Sequence, residues 1–185
     1  MVDMSQFKRK VTEFEGREAN MYVDGRRNVT VGVGRMLPTS SDAARLPFIR
    51  RDDKRRAARA EIEQEFDAIR TMSGDASKIE TATRLRLEER DIDRMLDDDI
   101  ERTLDALKRW ETGKNFDELP EEVQLALLDM AFNLGPGKLK IQYRKLKEAI
   151  ATEDWSRAAE ECGRRGPQPA RNAWTRDMFQ RAARR

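Results

Sequence analysis

Hydrophobic positions fall at helical spacing along most of the chain and change period once. Residues 3–15 read as a short helix stopped by Gly16, the residue that most easily leaves the helical region. From Met21 to Gly34 the spacing becomes that of strands: Tyr22-Val23-Asp24, a turn-rich Gly25-Arg26-Arg27-Asn28, then Val29 to Gly34 in strict alternation. This predicts a β-hairpin with Val29, Val31 and Val33 on the buried face. Thr30, Gly32 and Gly34 take the other face, which is nearly bare and open to a bulky ligand.

After Pro38 the helical period returns. A helix is expected from about Asp52 to Met72, with Ile62, Phe66 and Ile69 on one face and Gly74 as its break. A long helix follows from about Glu88 to Trp110, striped by Ile92, Met95, Leu96, Ile100, Leu104 and Leu107. The most hydrophobic segment, Val123 to Leu134, is entered through Pro120 and two acids and closed by Gly135-Pro136-Gly137, which predicts the core helix. Shorter helices are expected near 138–150, 154–163 and 170–184. The fold class is therefore α+β, mainly α. Residues 1–87 form a small lobe with the hairpin and inserted helices, 88–110 a connecting helix and 111–185 a larger helical lobe, within a single domain.

Composition narrows the chemistry. The 185 residues contain no histidine and a single cysteine, Cys162, so Ser-His-Asp and Cys-His machinery, imidazole or all-thiolate zinc sites and internal disulfides are all excluded. Acid–base work must come from carboxylates, Lys, Tyr or hydroxyls. Cys162 reads as a small buried residue. Charge is uneven, with net +6 over residues 1–60, −11 over 61–130 and +7 over 131–185. Such basic ends can attract a polyanion without saying which. The basic run Arg50 to Arg59, interleaved with Asp52 and Asp53, reads as a solvated helix face. No run approaches the roughly 20 apolar residues of a membrane span, and the segment MVDMSQFKRK lacks the apolar stretch of a signal peptide.

Glu15 ends the first helix, Asp24 follows nine residues later on the first strand, and Thr30 fifteen residues after Glu15 on the second. A helix end running into a hairpin brings the two carboxyls and the hydroxyl to one cleft edge. Taken singly each has a bland use: a helix-end acid, a turn former and a β-branched strand residue. Together with the glycine-rich strand they form a constellation. Glu15-Gly16, Tyr22-Val23-Asp24 and Thr30-Val31-Gly32-Val33-Gly34 resemble the catalytic segment of phage-type lysozymes, glycoside hydrolase family 24. Asp129-Met130-Ala131-Phe132-Asn133-Leu134-Gly135 is similar to that family's central helix and closing turn.

The resemblance implies a two-lobed lysozyme-like fold. It implies a muramidase that cleaves the β-1,4 bond between N-acetylmuramic acid and N-acetylglucosamine with inversion, needing no cofactor and no metal. Glu15 would be the general acid; Asp24 would steady the cationic transition state and help activate a water positioned by Thr30. Tyr22, Met36, Phe132 and Asn133 are the candidates for substrate binding, and Arg171 or Arg176 is the basic residue that the family often places near the acid. Asp99 falls within the apolar stripe of the long helix, and the same resemblance offers Arg35 as its partner. The expected partners are peptidoglycan glycan strands, with no nucleic acid and no stable membrane insertion. A monomer is expected, served by a delivery partner or held by an immunity protein. The context is a phage endolysin or the lysozyme domain of a secreted antibacterial effector, made in the cytoplasm and acting on the cell wall after delivery. The competing classes are a lytic transglycosylase and a non-catalytic peptidoglycan-binding module.

Overall fold

A computed structural model describes residues 2–72 and 83–185. Helix α1 spans Met4–Glu15 and leads into strands β1 (Glu18–Val23), β2 (Val29–Gly32) and β3 (Arg35–Met36). Short α2 (Ser40–Ala43), β4 (Ile49–Arg50), α3 (Arg59–Thr71) and β5 (Leu85–Arg86) follow, and then the long α4 (Glu89–Lys108). A 3₁₀ turn, Phe116–Glu118, precedes α5 (Glu121–Leu134), α6 (Pro136–Gln142), α7 (Arg144–Ala151), α8 (Trp155–Glu161) and α9 (Pro169–Ala183). The fold is α+β and mainly α, as the periodicity predicts. Two compact units form, one of Glu15–Asp97 and one of the residues up to Phe14 together with Asp98–Arg185.

In the Glu15–Asp97 unit, β1, β2 and β3 make an antiparallel sheet in that order. Its second turn departs from the expected alternation. Val31 pairs with Arg35, so the chain reverses through Gly32-Val33-Gly34, with φ of 67° at Gly32 and 73° at Gly34. These left-handed values suit glycine, and they end the strand at Gly32 instead of carrying it to Gly34. The face expected to be bare is covered: Thr30 and Gly32 are buried, and a Cβ on Gly32 would meet Met95 Cε at 3.6 Å and Ile92 Cγ2 at 3.7 Å. The missing side chain there admits the first half of α4 instead of a ligand.

The helix expected from Asp52 begins only at Arg59. Asp52 and Asp53 turn their carboxylates onto backbone N–H groups, Asp52 Oδ1 accepting from Asp53 N and Asp53 Oδ1 from Arg55 N at 2.9 Å, and Lys54 takes φ 61°. Side chains that bond their own backbone compete with a helix. The freed segment makes a second, two-stranded sheet, with Ile49 opposite Arg86 and Arg50 opposite Leu85. Arg50 also holds Glu61, whose pKa falls to about 2 through that hydrogen bond and one from Ala58 N, fixing the first turn of α3. The Arg50–Arg59 run thus passes from β4 through a turn and a β-bridge at Arg56 to the start of α3, and is not one helix face. The Gly74 break lies outside the described residues.

The other unit is built on α5, where every residue from Val123 to Ala131 is buried, Gln124 and Asp129 included. Gly135 at φ 83° ends it, and Pro136 opens α6 at once. The helix expected over 138–150 is two, because Tyr143 (φ −106°, ψ 52°) breaks it. Phe7 of α1 stacks edge-on against Phe132, and Phe14 against Trp174, which draws most of α1 into this unit. Cys162 is buried, as expected. Asp99 forms an ion pair with Arg102. Within the Glu15–Asp97 unit, Arg35 donates to the Met95 carbonyl at 3.0 Å.

Candidate active site

Glu15 is the last residue of α1, and Gly16 at φ 77° turns the chain sharply into β1. Arg17 then clamps this corner to α4 through Glu89 and Asp93, each at 2.8 Å. On the far side of the sheet, Arg35 makes its bond to Met95 O on the same helix. The helix end and the Gly32–Gly34 turn are thereby anchored to one rigid element. They also meet: a Cβ on Gly34 would stand 3.1 Å from Glu15 Oε2 and 3.3 Å from its Cδ. Gly34 is therefore needed twice, for its positive φ and for the space that the Glu15 carboxyl occupies.

Asp24 lies just past the end of β1, at the hairpin corner, and not on the strand itself. Its Oδ1 accepts from Arg26 N and Asn28 N, both at 2.8 Å, and Oδ2 accepts from Asn28 Nδ2 at 3.2 Å. Forming the turn and orienting the carboxylate are the same set of bonds. Asn28 also gives its carbonyl to Asp24 N at 2.9 Å and to the Thr30 hydroxyl at 3.4 Å, so one residue ties the acid to the hydroxyl.

Register decides which other candidates join them. Tyr22 pairs with Thr30, and Thr30 with Met36, so the three stand abreast on one face of the sheet. Thr30, in the middle, is 3% exposed, Tyr22 is half-buried and Met36 is 51% exposed. Burial, reinforced by the charges of Glu15, Glu18 and Asp24, pushes the Tyr22 hydroxyl up to about 12. It remains a neutral donor at any physiological pH. Glu15, Tyr22, Asp24, Thr30 and Met36 thus gather at one hairpin. Phe132 and Asn133, half-buried at the end of α5, belong to the other unit.

Of the two basic candidates on α9, Arg176 is exposed and Arg171 buried. The Arg171 guanidinium lies 5.3 Å from the ring centroid of Phe14, the residue before Glu15, and its Nε donates to Asp129 Oδ1 at 2.8 Å. Arg164 reaches Asp129 Oδ2 at 2.8 Å and donates to Thr175 Oγ1 at 2.6 Å. This buried cluster was invisible in the sequence, where Asp129 is one acid on an apolar helix; its only local signal is that apolar setting, which demands a partner.

The phage lysozyme family model matches residues 12–166, from three residues before Glu15 to beyond α8. The chain belongs to the phage lysozyme family. As a member it is a lysozyme-type glycosidase that acts on cell-wall peptidoglycan. No curated protein matches the chain. The family match covers the hairpin, α4 and α5, so the elements that gather the five hairpin residues are family elements. No helix among the described residues is long and apolar enough to cross a membrane.

The Gly34 contact carries a prediction. Gly34→Ala should lower turnover about 10- to 100-fold, the scale expected when a catalytic group moves by a fraction of an ångström to an ångström. Gly25→Ala is the control, because nothing lies within 4 Å of a Cβ there and its φ is ordinary. Clearing of a peptidoglycan suspension, with circular dichroism to verify folding, reads the difference; equal rates for the two variants would remove Gly34 from the site.

Proposed function

We propose that the chain is an inverting muramidase, hydrolysing the β-1,4 bond between N-acetylmuramic acid and N-acetylglucosamine. The observation that carries this reading is the gathering of two carboxyls in unlike settings at one hairpin. Glu15 is packed against Gly34 at a helix end, whereas Asp24 is held by three N–H donors at an open turn. Glycoside hydrolysis uses such an unlike pair.

In this mechanism Glu15 gives its proton to the leaving oxygen as the C1–O bond breaks. Asp24 steadies the positive charge on the sugar and takes a proton from the water whose oxygen bonds to C1. Thr30, beside Tyr22 and tied to Asp24 through Asn28, positions that water; its hydroxyl is too weak a nucleophile to attack by itself. Tyr22, Met36, Phe132 and Asn133 bind the glycan in this reading. A lysis partner or a secretion system would bring the protein to the wall, and an immunity protein is a candidate inhibitor.

Three measurements test it. Zymography on purified peptidoglycan, wild type beside Glu15→Gln, tests activity, and mass spectrometry of the products tests the reaction type. Hydrolysis leaves reducing muramic acid ends; anhydro ends would make the chain a transglycosylase, and retained binding without cleavage a binding module. For stereochemistry, proton NMR of the first product before mutarotation is expected to show the α anomer. A β anomer would mean that Asp24 attacks carbon directly, and the water-holding role of Thr30 would be withdrawn.

A further inference from the structure

From Pro136 to Lys147 the chain carries Lys138, Lys140, Arg144, Lys145 and Lys147 without one acid. α6 and α7 fold this run into a corner of the helical unit, bent at Tyr143. Leu139 and Leu146 take the inward side and are fully buried. Ile141 comes two residues after Leu139, about 200° around the helix, and so faces outward. It is 71% exposed, well above Met36 at 51%, the other exposed large hydrophobic side chain among the described residues.

Lys138 precedes Ile141 by three residues and shares its face. Beside them opens a cavity of about 740 Å³ whose charged lining is Lys138, Arg144, Lys145, Arg165 and Glu161. Four cations thus face one carboxylate, and Lys145 engages that carboxylate at 3.5 Å. A single exposed isoleucine is ordinary on a protein surface. An exposed isoleucine that shares one cavity lining with Lys138, Arg144, Lys145 and Arg165 is the pattern of a surface that meets an interface.

We propose that the α6–α7 corner docks on an anionic phospholipid bilayer, with Ile141 entering the headgroup layer and Lys138, Lys140, Arg144, Lys145 and Arg165 contacting lipid phosphates. Net charge +3 around the cavity supplies the complement to an anionic leaflet. Ile141 selects a lipid surface over a soluble polyanion, which would gain nothing from an apolar side chain at the centre. The contact is peripheral, since α6 and α7 are seven and eight residues long and cannot span a bilayer. It does not depend on the hydrolytic reading, because none of these residues is in the hairpin site.

The test is sedimentation of the full chain with vesicles of equal parts phosphatidylglycerol and phosphatidylcholine, beside pure phosphatidylcholine vesicles. Binding is expected to the anionic vesicles only and to weaken with salt. The double variant Lys138→Ser with Arg144→Ser should bind about 25-fold more weakly, at roughly five-fold per charge removed. Ile141→Ser should lose about ten-fold, and Ile141→Trp should bind more tightly. Lys54→Glu, on the other unit, should bind like wild type. The proposal is overturned by equal binding to both vesicle types or by none. It is overturned equally if Ile141→Ser binds like wild type while the double variant fails, which would mark a polyanion site, or if Lys54→Glu loses as much as the double variant. Clearing of peptidoglycan by these variants reports separately on the hydrolytic reading.

Discussion

Replacing Glu15 by glutamine is expected to lower peptidoglycan hydrolysis by roughly 10²- to 10⁴-fold while leaving the fold intact. The amide nearly matches the carboxyl in shape, so it still fits against Gly34, but it has no acidic proton for the leaving oxygen. Turbidity clearing gives the rate, and circular dichroism with a thermal midpoint verifies folding. If more than about a tenth of the wild-type rate survives, less than the range for a general acid, Glu15 is not the acid. Glu15→Asp refines the result: it keeps an acid but shortens the reach from the end of α1, so its activity should fall between wild type and the glutamine variant.

The second large effect belongs to stability. Asp129→Asn should destabilise the protein by about 3–5 kcal/mol, because it removes the one carboxylate shared by two buried guanidinium groups. The Asp129 side chain is 1% exposed, that of Arg164 0% and that of Arg171 3%. Thr175, which is also buried, donates to Asp129 Oδ2 at 3.0 Å. An asparagine would turn two more N–H donors toward donors that are already there. Water cannot replace the lost charge at such depth, and the loss is a large share of the 5–15 kcal/mol that a domain has in all. Urea denaturation monitored by tryptophan fluorescence gives the difference. Asp177→Asn supplies the contrast, since its pair with Arg181, at 2.7 Å with side chains 40% and 54% exposed, should contribute under about 1 kcal/mol. A loss below about 1 kcal/mol at Asp129 would mean that the cluster carries no more than a surface pair.

Much of the architecture was legible because it is written in local period. The stripe from Ile92 to Leu107 marks α4, and the unbroken apolar run from Val123 marks α5. A helix that buries one face or all of itself must show that in its own residues. The hairpin could be read from the alternation of Val29 to Gly34 after the turn-rich Gly25–Asn28, and Asp24 organises that turn as its residue type suggests. The absence of histidine excluded most hydrolytic machinery before any fold was known. Glu15, Asp24 and Thr30 stood out because a helix end and a hairpin lie next to each other in the chain, so their meeting needs no long-range information.

What stayed hidden depended on partners far along the chain. β4 and β5 are two residues each, and each exists only because the other, more than thirty residues away, completes its hydrogen bonds. Gly32 looked open in the sequence and is covered by Ile92 and Met95, which no strand-level pattern contains. Asp129 reads as a lone acid until α9 and the segment before it bring Thr175, Arg171 and Arg164. The use of Gly34 as the seat of the Glu15 carboxyl needs the φ of 73° and the distance of 3.1 Å together. Local sequence thus determined which residues turn inward and where the chain reverses, since those follow from side-chain polarity and backbone freedom. Only the tertiary structure decided what each inward residue meets, because burial fixes the need for a partner and the path of the whole chain supplies it.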